Sequence, residues 1–298
     1  MSEATRTVGD QVHERQPGPT VVRLLVGAQL RRLREDRGVS PEEAGYEIRG
    51  SASKISRMEL GKVGFKERDV NDLLTLYGIT EPAEREAVLQ LARQANVPGW
   101  WQRYSDVVPP GFEHCLGLEQ AASVIRGYDC MTVPTLLQTE AYARAVIELA
   151  EPTATDEEKG RRVELRMERQ HILTRRPDPV KFWTVLDEAV LRRPIGRPET
   201  MRAQIEHLLA ISELPNVTIQ VIPFSAGGHA ALGGPITILR LPEAALPDVI
   251  HLEQHSVSLY PDKPADLFHY TDVLNRLVLA AEPSTETPDL LKDALATL

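Results

Sequence analysis

Between Val26 and Ala95 the chain starts and stops helices at intervals so short that only a compact all-helical unit can satisfy them. Val26, Leu30 and Leu33 recur at i, i+4 and i+7, one face of a helix, and Gly38 closes it. Ser40-Pro41-Glu42-Glu43 then supplies an N-cap, a proline at the first helical position and an acid that can reach back to the cap backbone. Ala44 and Ile48 face inward on this second helix, and Gly50 breaks it. Ser51 is the N-cap of a third helix, with Ile55 and Met58 inward and Gly61 as its stop. Val70, Leu73, Leu74 and Tyr77 form a fourth stripe, closed by Gly78. Val88, Leu91, Ala92 and Ala95 form a fifth.

Ser40 to Gly61 has the parts of a helix-turn-helix, in which one short helix braces another that lies in the DNA major groove. The third helix has apolar anchors inside and small or hydrogen-bonding side chains outside. Ala52, Ser53, Ser56 and Arg57 point away from Ile55 and Met58, and Ser51 stands at the same end. Arg57 can make a bidentate contact to guanine, and Ser53 can bond several base edges. Lys54 and Lys62 suit phosphates. The same pattern would also serve a five-helix bundle with a polar third helix and no DNA role.

The charge distribution bears on that choice. The whole chain of 298 residues carries −9. Val21 to Lys66 nevertheless holds ten Lys or Arg against six Asp or Glu, a net +4 that leaves −13 for the rest. A basic module on an acidic body can use its local field on phosphates while the body stays soluble. Gly27-Ala-Gln-Leu-Arg-Arg-Leu-Arg-Glu-Asp-Arg-Gly38, Ser40-Pro-Glu-Glu43 and Ser53-Lys-Ile-Ser-Arg-Met-Glu-Leu-Gly61 resemble the lambda-repressor-like (Xre-type) family. The resemblance implies double-stranded DNA as partner, with Ala52, Ser53 and Arg57 facing bases and Arg34 and Glu59 forming an internal ion pair. The chain departs from the family at Pro41, where a phosphate-touching glutamine is common. It departs again at Arg49-Gly50, where glycine followed by an aliphatic residue is preferred.

After residue 96 the pattern changes. Pro98, Gly99, Pro109 and Pro110 read as a linker, and Trp100-Trp101 require it to be docked, because such large rings are costly to leave in water. Beyond it the sequence mixes periods. Helices are expected at Leu118 to Gly127, Gln138 to Leu149, Thr155 to Arg175, Pro198 to Ser212 and Ala265 to Ala281. Within the third of these, Glu157–Arg161 and Glu158–Arg162 are favourable i, i+4 pairs. Strands are expected at Val180 to Leu186, Val217 to Ile222, Ile236 to Leu241 and Val249 to Glu253. The fold class is therefore an all-α N-terminal helix-turn-helix domain followed by a larger α+β C-terminal domain. The expected bounds are a disordered tail over 1–20, the helix-turn-helix domain over 21–96, a docked linker over 97–111, the α+β domain over 112–282 and a polar tail over 283–298.

Trp100-Trp101 through Phe112, Leu136-Leu-Gln-Thr-Glu-Ala-Tyr-Ala143, Leu186-Asp-Glu188, Leu214-Pro-Asn-Val217 and Ile222-Pro-Phe224 resemble the C-terminal domain of WhiJ-type actinobacterial regulators. That resemblance implies an antitoxin-like transcriptional regulator, often paired with a short protein encoded nearby, and brings no established catalytic residues.

Several chemical readings compete and are set aside. Cys115 and Cys130 are too few for a disulfide framework or a four-ligand zinc site and read as buried small hydrophobes. Asp187-Glu188 would point to opposite faces of a strand, a poor acid/base pair. His251-Leu-Glu-Gln-His255 has its glutamate misplaced for a zinc-protease helix, and its flanks read as strand. The glycine-rich Ser225 to Gly234 lacks the Lys-Ser/Thr ending of a phosphate loop and reads as a loop or hairpin lip. Self-cleavage at Ala226-Gly227 would need Ser256, Ser258 or Ser284 beside a desolvated lysine, and neither Lys263 nor Lys292 sits in an apolar run.

The expectation is thus a cytoplasmic DNA-binding regulator, a repressor and homodimer, with no enzyme activity, no cofactor, no metal and no membrane span. Two inputs to the second domain stay open. One is a small partner protein on the acidic surface. The other is a small molecule in a pocket near Trp183, Phe224 and the glycine loop that carries His229.

Overall fold

The computed structural model describes residues 18–109, 111–253 and 258–298. The N-terminal helices are α1 (Pro19–Asp36), α2 (Pro41–Glu47), α3 (Ala52–Glu59), α4 (Glu67–Leu76) and α5 (Pro82–Ala95). Their inward faces are the stripes read from the sequence. Val26, Leu30, Ala44, Ile55, Met58, Val70, Leu73, Leu74, Tyr77, Val88 and Ala92 form one buried core. Leu91, expected inward on α5, is only partly buried, and Leu89 takes its place.

The α+β domain begins with α6 (Phe112–Ala121) and β1 (Val124–Asp129). It continues through α7 (Glu140–Ala150), α8 (Asp156–Arg169), β2 (Lys181–Asp187), α9 (Ala189–Arg192), α10 (Pro198–Ile211) and β3 (Val217–Ile222). β4 (Ile236–Arg240), β5 (Val249–Glu253), β6 (Ser258–Leu259), α11 (Pro264–Ala280) and α12 (Thr287–Ala296) complete it. The strands make one mixed sheet in the order β3-β2-β1-β4-β5-β6. β1, β2 and β3 run parallel, and β4 pairs antiparallel with β1. Alternate side chains serve two cores. Ile125, Phe182, Leu186, Ile219, Val221 and Leu239 face the larger one, with α10 and α12. Tyr128, Val185, Ile222, Ile238 and Ile250 face Val273, Leu274 and Leu277 of α11.

Three expectations change. Leu118 to Gly127 is not one helix: α6 ends at Ala121, and Val124 onward is the central strand β1. Pairing on both sides, with β2 and β4, gives its backbone more partners than a helix end would. Residues 283–298 are not a tail. Thr287 Oγ1 donates to the Ile219 carbonyl at 2.6 Å, and Leu291 and Ala294 of α12 are in the main core. At the other end, residues 1–17 of the expected disordered tail lie outside the described residues, but α1 already starts at Pro19 and Thr20 is buried.

The two domains share α1. Val22, Val26 and Leu30 enter the helical core, whereas Val21 enters the core of the α+β domain. Thr20 packs so tightly on α6 that a Cβ on Gly117 would fall 1.8 Å from its hydroxyl oxygen. The linker is docked as its aromatic residues require. Trp101, Tyr104, Val107 and Val108 form a small core with Leu116 and Leu165. On α8 Arg162 still acts on Glu158 electrostatically, but the ion pairs that form are with other partners. Arg161 binds Asp106 at 2.9 Å, Arg162 reaches Glu151, and Glu158 instead closes a capping box with Thr155.

Candidate nucleic-acid interface

Local rules build the α2–turn–α3 unit. Ser40 caps α2, its hydroxyl accepting from the Glu43 N–H, while the Glu43 carboxylate accepts from the Ser40 N–H at 2.8 Å. Ser51 caps α3 by accepting from the Lys54 N–H. Between them the tight bend falls on Arg49, at φ 52, rather than on Gly50. The left-handed region is costly for a residue with a Cβ. Gly27 seats α1 directly on the end of α3, since a Cβ there would lie 2.5 Å from the Glu59 carbonyl oxygen.

This bracing leaves one face of α3 open. Ile55 and Met58 are buried, while Ser51, Ser53, Ser56 and Arg57 are exposed and Ala52 is half-buried. The Arg57 guanidinium leans back towards the Ser53 carbonyl at 3.4 Å and has no ion-pair partner among the described residues. The two lysines expected at phosphates differ. Lys62 is exposed just beyond α3. Lys54 is instead held by Asp69 of α4 at 2.6 Å, so without DNA it fastens α3 to α4. Asp69 carries no signal for this role in the sequence, where it reads as a first-turn acid of α4.

Arg34 and Glu59 form the expected pair in a buried setting. Nε–Oε1 is 2.6 Å and Nη2–Oε2 is 3.0 Å, with the side chains only 10% and 8% exposed. The third guanidinium nitrogen donates to the Val39 carbonyl at 2.9 Å. The hydrogen bonds to Glu59 raise the Arg34 pKa. This clamp fixes the last residue of α3 relative to α1, and with it the angle at which the exposed face is presented.

The residues proposed to line a ligand pocket do not meet. Trp183 lies near the start of β2 opposite Thr218, whereas Phe224 follows the end of β3. Six residues of extended chain separate those levels, about 20 Å at the strand rise. Trp183 is tied down by Gln220, to which its indole N–H donates at 2.8 Å, and by the Arg126 guanidinium over its ring. Phe224 is exposed. His229 has both nitrogens engaged: Nδ1 accepts from the Ala231 N–H, and Nε2 faces Tyr128 and Asp187 at 3.1 and 3.3 Å. It pins the glycine-rich loop to the strand ends. A groove of about 1410 Å³ lies elsewhere, between Pro19, Trp100 and the Lys181 end of the sheet.

The remaining constellations resolve locally. Asp187 accepts from the Ala189 N–H at the start of α9, and Glu188 accepts from the Phe224 N–H. His251 lies on β5 with Cys115 at 3.7 Å and Ser258 at 3.2 Å, and His255 lies outside the described residues. Burial pushes the Cys115 thiol up to about 12 and raises Cys130 as well. Among the described residues no three His, Cys, Asp or Glu side chains are grouped to hold a metal. Lys263 and Lys292 are exposed, so neither is a desolvated base, and Ser256 lies outside the described residues. Among the described residues no helix is long and apolar enough to cross a membrane.

Comparison with known families matches residues 25–88 to a helix-turn-helix domain, the span of the unit just described. Residues 112–293, more than half of the chain, match a domain of unknown function, DUF5753. The chain belongs to the DUF5753 family. Its N-terminal match makes it a helix-turn-helix regulator of the DNA-binding kind. No curated protein and no solved structure matches it.

The DUF5753 region touches the helix-turn-helix unit close to α3. The Lys62 ammonium lies over the Tyr260 ring, 5.7 Å from its centroid. Tyr260 stacks on His251 and meets His114 edge-on, each at 5.1 Å. Burial, with the neighbouring Lys62, Arg23 and His251, pushes His114 down to about 4. Periodicity gave no sign of this contact, because Tyr260 follows a two-residue strand and His114 sits on the first turn of α6.

Proposed function

We propose that this protein is a sequence-specific transcriptional repressor of the Xre type, acting as a cytoplasmic homodimer on double-stranded DNA. The observation that carries the reading is the face of α3. Ser51, Ala52, Ser53, Ser56 and Arg57 lie on one side of a capped helix that is held at both ends. In this reading Arg57 and Ser53 read base edges and Lys62 meets phosphate, with Lys54 joining it after release from Asp69. A footprint on the promoter of the protein's own gene tests it. Protection of a site with two related half-sites is expected, and uniform weak binding to all DNA would overturn it.

The DUF5753 region takes the controlling input in this reading, in the antitoxin-like manner that its resemblance to WhiJ-type regulators implies. The input is a small protein encoded nearby, bound by the acidic body. The Lys62–Tyr260 contact and the shared helix α1 support a route from that body to the DNA-binding face. Co-purification of the neighbouring product with the full chain, followed by operator titration with and without it, tests this step. The partner changes operator affinity only if it binds the free and DNA-bound forms unequally. One observation favours a small-molecule input instead. The groove of about 1410 Å³ runs beside the root of α1, where an occupant would touch both domains. A metabolite that shifts operator affinity, with no protein partner recovered, would establish that alternative.

A further inference from the structure

Helix α11 covers one face of the sheet with Val273, Leu274 and Leu277 and turns its other face to solvent. On that outer face Phe268 is 78% and Leu279 85% exposed, among the most exposed large apolar side chains of the described residues. Between them stand Asp272 and Asn275, also exposed, although the Asn275 Oδ1 accepts from the Arg126 guanidinium of β1 at 2.9 Å. The steps from Phe268 to Asp272, Asn275 and Leu279 are four, three and four residues, the spacing of a seam between two packed helices. Arg276 flanks the seam on the same side as Asp272. Neither Asp272 nor Arg276 has an ion-pair partner among the described residues.

The pattern is self-complementary. Phe268 and Leu279 are equidistant from the midpoint between Val273 and Leu274, each about 8 Å along the axis at the helical rise. Asp272 and Asn275 are equidistant too, and Arg276 is one residue further out. A two-fold axis through that midpoint, perpendicular to the helix, sets a second α11 antiparallel to the first. It then brings Phe268 of each copy onto Leu279 of the other and Asp272 of each beside Arg276 of the other. Both contacts occur twice, as a closed two-fold interface requires.

We propose that the outer face of α11 is the dimer seam of this protein, its occupant a second copy of the same chain, packed antiparallel with Asp272 against Arg276. This rests on the homodimer reading above and gives that reading a surface. Polar groups at seam positions fix register and direction more than they add affinity, so the Asp272–Arg276 pairs would select the antiparallel arrangement while Phe268 and Leu279 supply the buried area.

Sedimentation velocity on the full chain tests the seam. Wild type should dimerise, and Leu279→Glu should be monomeric with the helical circular dichroism of wild type retained, because the side chain is exposed in the single chain and only the stability lent by association is lost. Asp272→Arg and Arg276→Asp should each weaken the dimer about tenfold or more, since each places two like-charge pairs in the seam. The double charge swap should recover dimerisation. Wild type that stays monomeric, or a dimer indifferent to all four variants, would overturn the seam. Singly weakened variants with no recovery in the double swap would overturn the antiparallel pairing. Arg57→Ala run in parallel should remain dimeric. A seam that behaves as expected in a protein that binds no operator would refute the DNA reading alone.

Discussion

Replacing Glu59 with alanine puts the sharpest load on the helix-turn-helix unit. Arg34 would keep only the Val39 carbonyl and an exposed Glu35 oxygen at 3.6 Å, while remaining nine-tenths buried. Stripping one partner from a buried pair costs about 3–5 kcal/mol, against about 0.2–1 for an exposed pair. Because Glu35 can follow Arg34 in part, the lower end applies, about 3 kcal/mol. The assay is native-state hydrogen exchange at the amides of α3. A loss of about 3 kcal/mol speeds exchange there by roughly a hundredfold or more, since each 1.4 kcal/mol is tenfold. Glu42→Ala, on the exposed face of α2, serves as the comparison and should stay within about 0.5 kcal/mol. Replacing both Arg34 and Glu59 with leucine removes the stranded charge and should be much milder than Glu59→Ala alone. If α3 in Glu59→Ala exchanges no faster than in Glu42→Ala, the clamp is not what holds the recognition face.

Arg57→Ala should cost about 1–3 kcal/mol of specific binding and relax preference at one base position in a titration against operator variants. Lys62→Ala should weaken all sequences alike and lower the salt slope by about one unit, so a change confined to one base would refute its phosphate role. Ser40→Ala removes the cap of α2 and should cost about 1 kcal/mol in thermal unfolding, with no effect on base preference. His114 should make stability acid-sensitive. Its folded value of about 4 lies below its unfolded value, so the unfolded chain binds a proton that the folded chain refuses. Stability from this group is whole above about pH 6.5, falls as pH drops, and levels off below about 4, a loss on the order of 3 kcal/mol. Melts of His114→Gln across that range should be flatter than wild type, and parallel curves would show that His114 is not buried at the domain contact.

What was legible in the sequence was governed by local rules. Ser40, Glu43 and Ser51 announce helix starts by cap chemistry, and Ile55 and Met58 announce the inward side of α3, so the helix-turn-helix could be placed residue by residue. The Arg34–Glu59 pair was reachable only through family resemblance, since its partners lie 25 residues apart on different helices. What was missed depends on tertiary partners. Between Ala121 and Val124 only Ser123 hints at the change from α6 to β1, with no glycine or proline to break the helix, and β1 becomes a strand only when β2 and β4 flank it. The polar stretch Glu282 to Pro288 reads as an exit, yet it leads into α12 from Thr287 onward, whose Leu291 fits a site built by other elements. Lys54 read as a free cation for the same reason, its partner Asp69 being invisible to helical spacing.

The shared helix α1 constrains how any input can reach DNA. Its first turn belongs to the α+β core through Val21 and the Thr20–Gly117 contact, and its later turns hold α3 through Gly27 and the Arg34–Glu59 clamp. A helix transmits displacement along its length because its backbone bonds are internal. A partner or ligand that moves the root of α1 against α6 therefore moves the brace of α3 with it, whereas one that binds the far edge of the sheet at β3 has no such lever. The Lys62–Tyr260 contact adds a second tie just beyond the C-terminal end of α3. With both ties in place the domains can differ in orientation only if one contact breaks, so a change at the root of α1 that alters DNA affinity should also expose Tyr260. Tyr260→Ala should then weaken the dependence of operator affinity on the input while leaving Arg57's base preference intact. An input response unchanged in Tyr260→Ala would show that α1 alone carries the coupling.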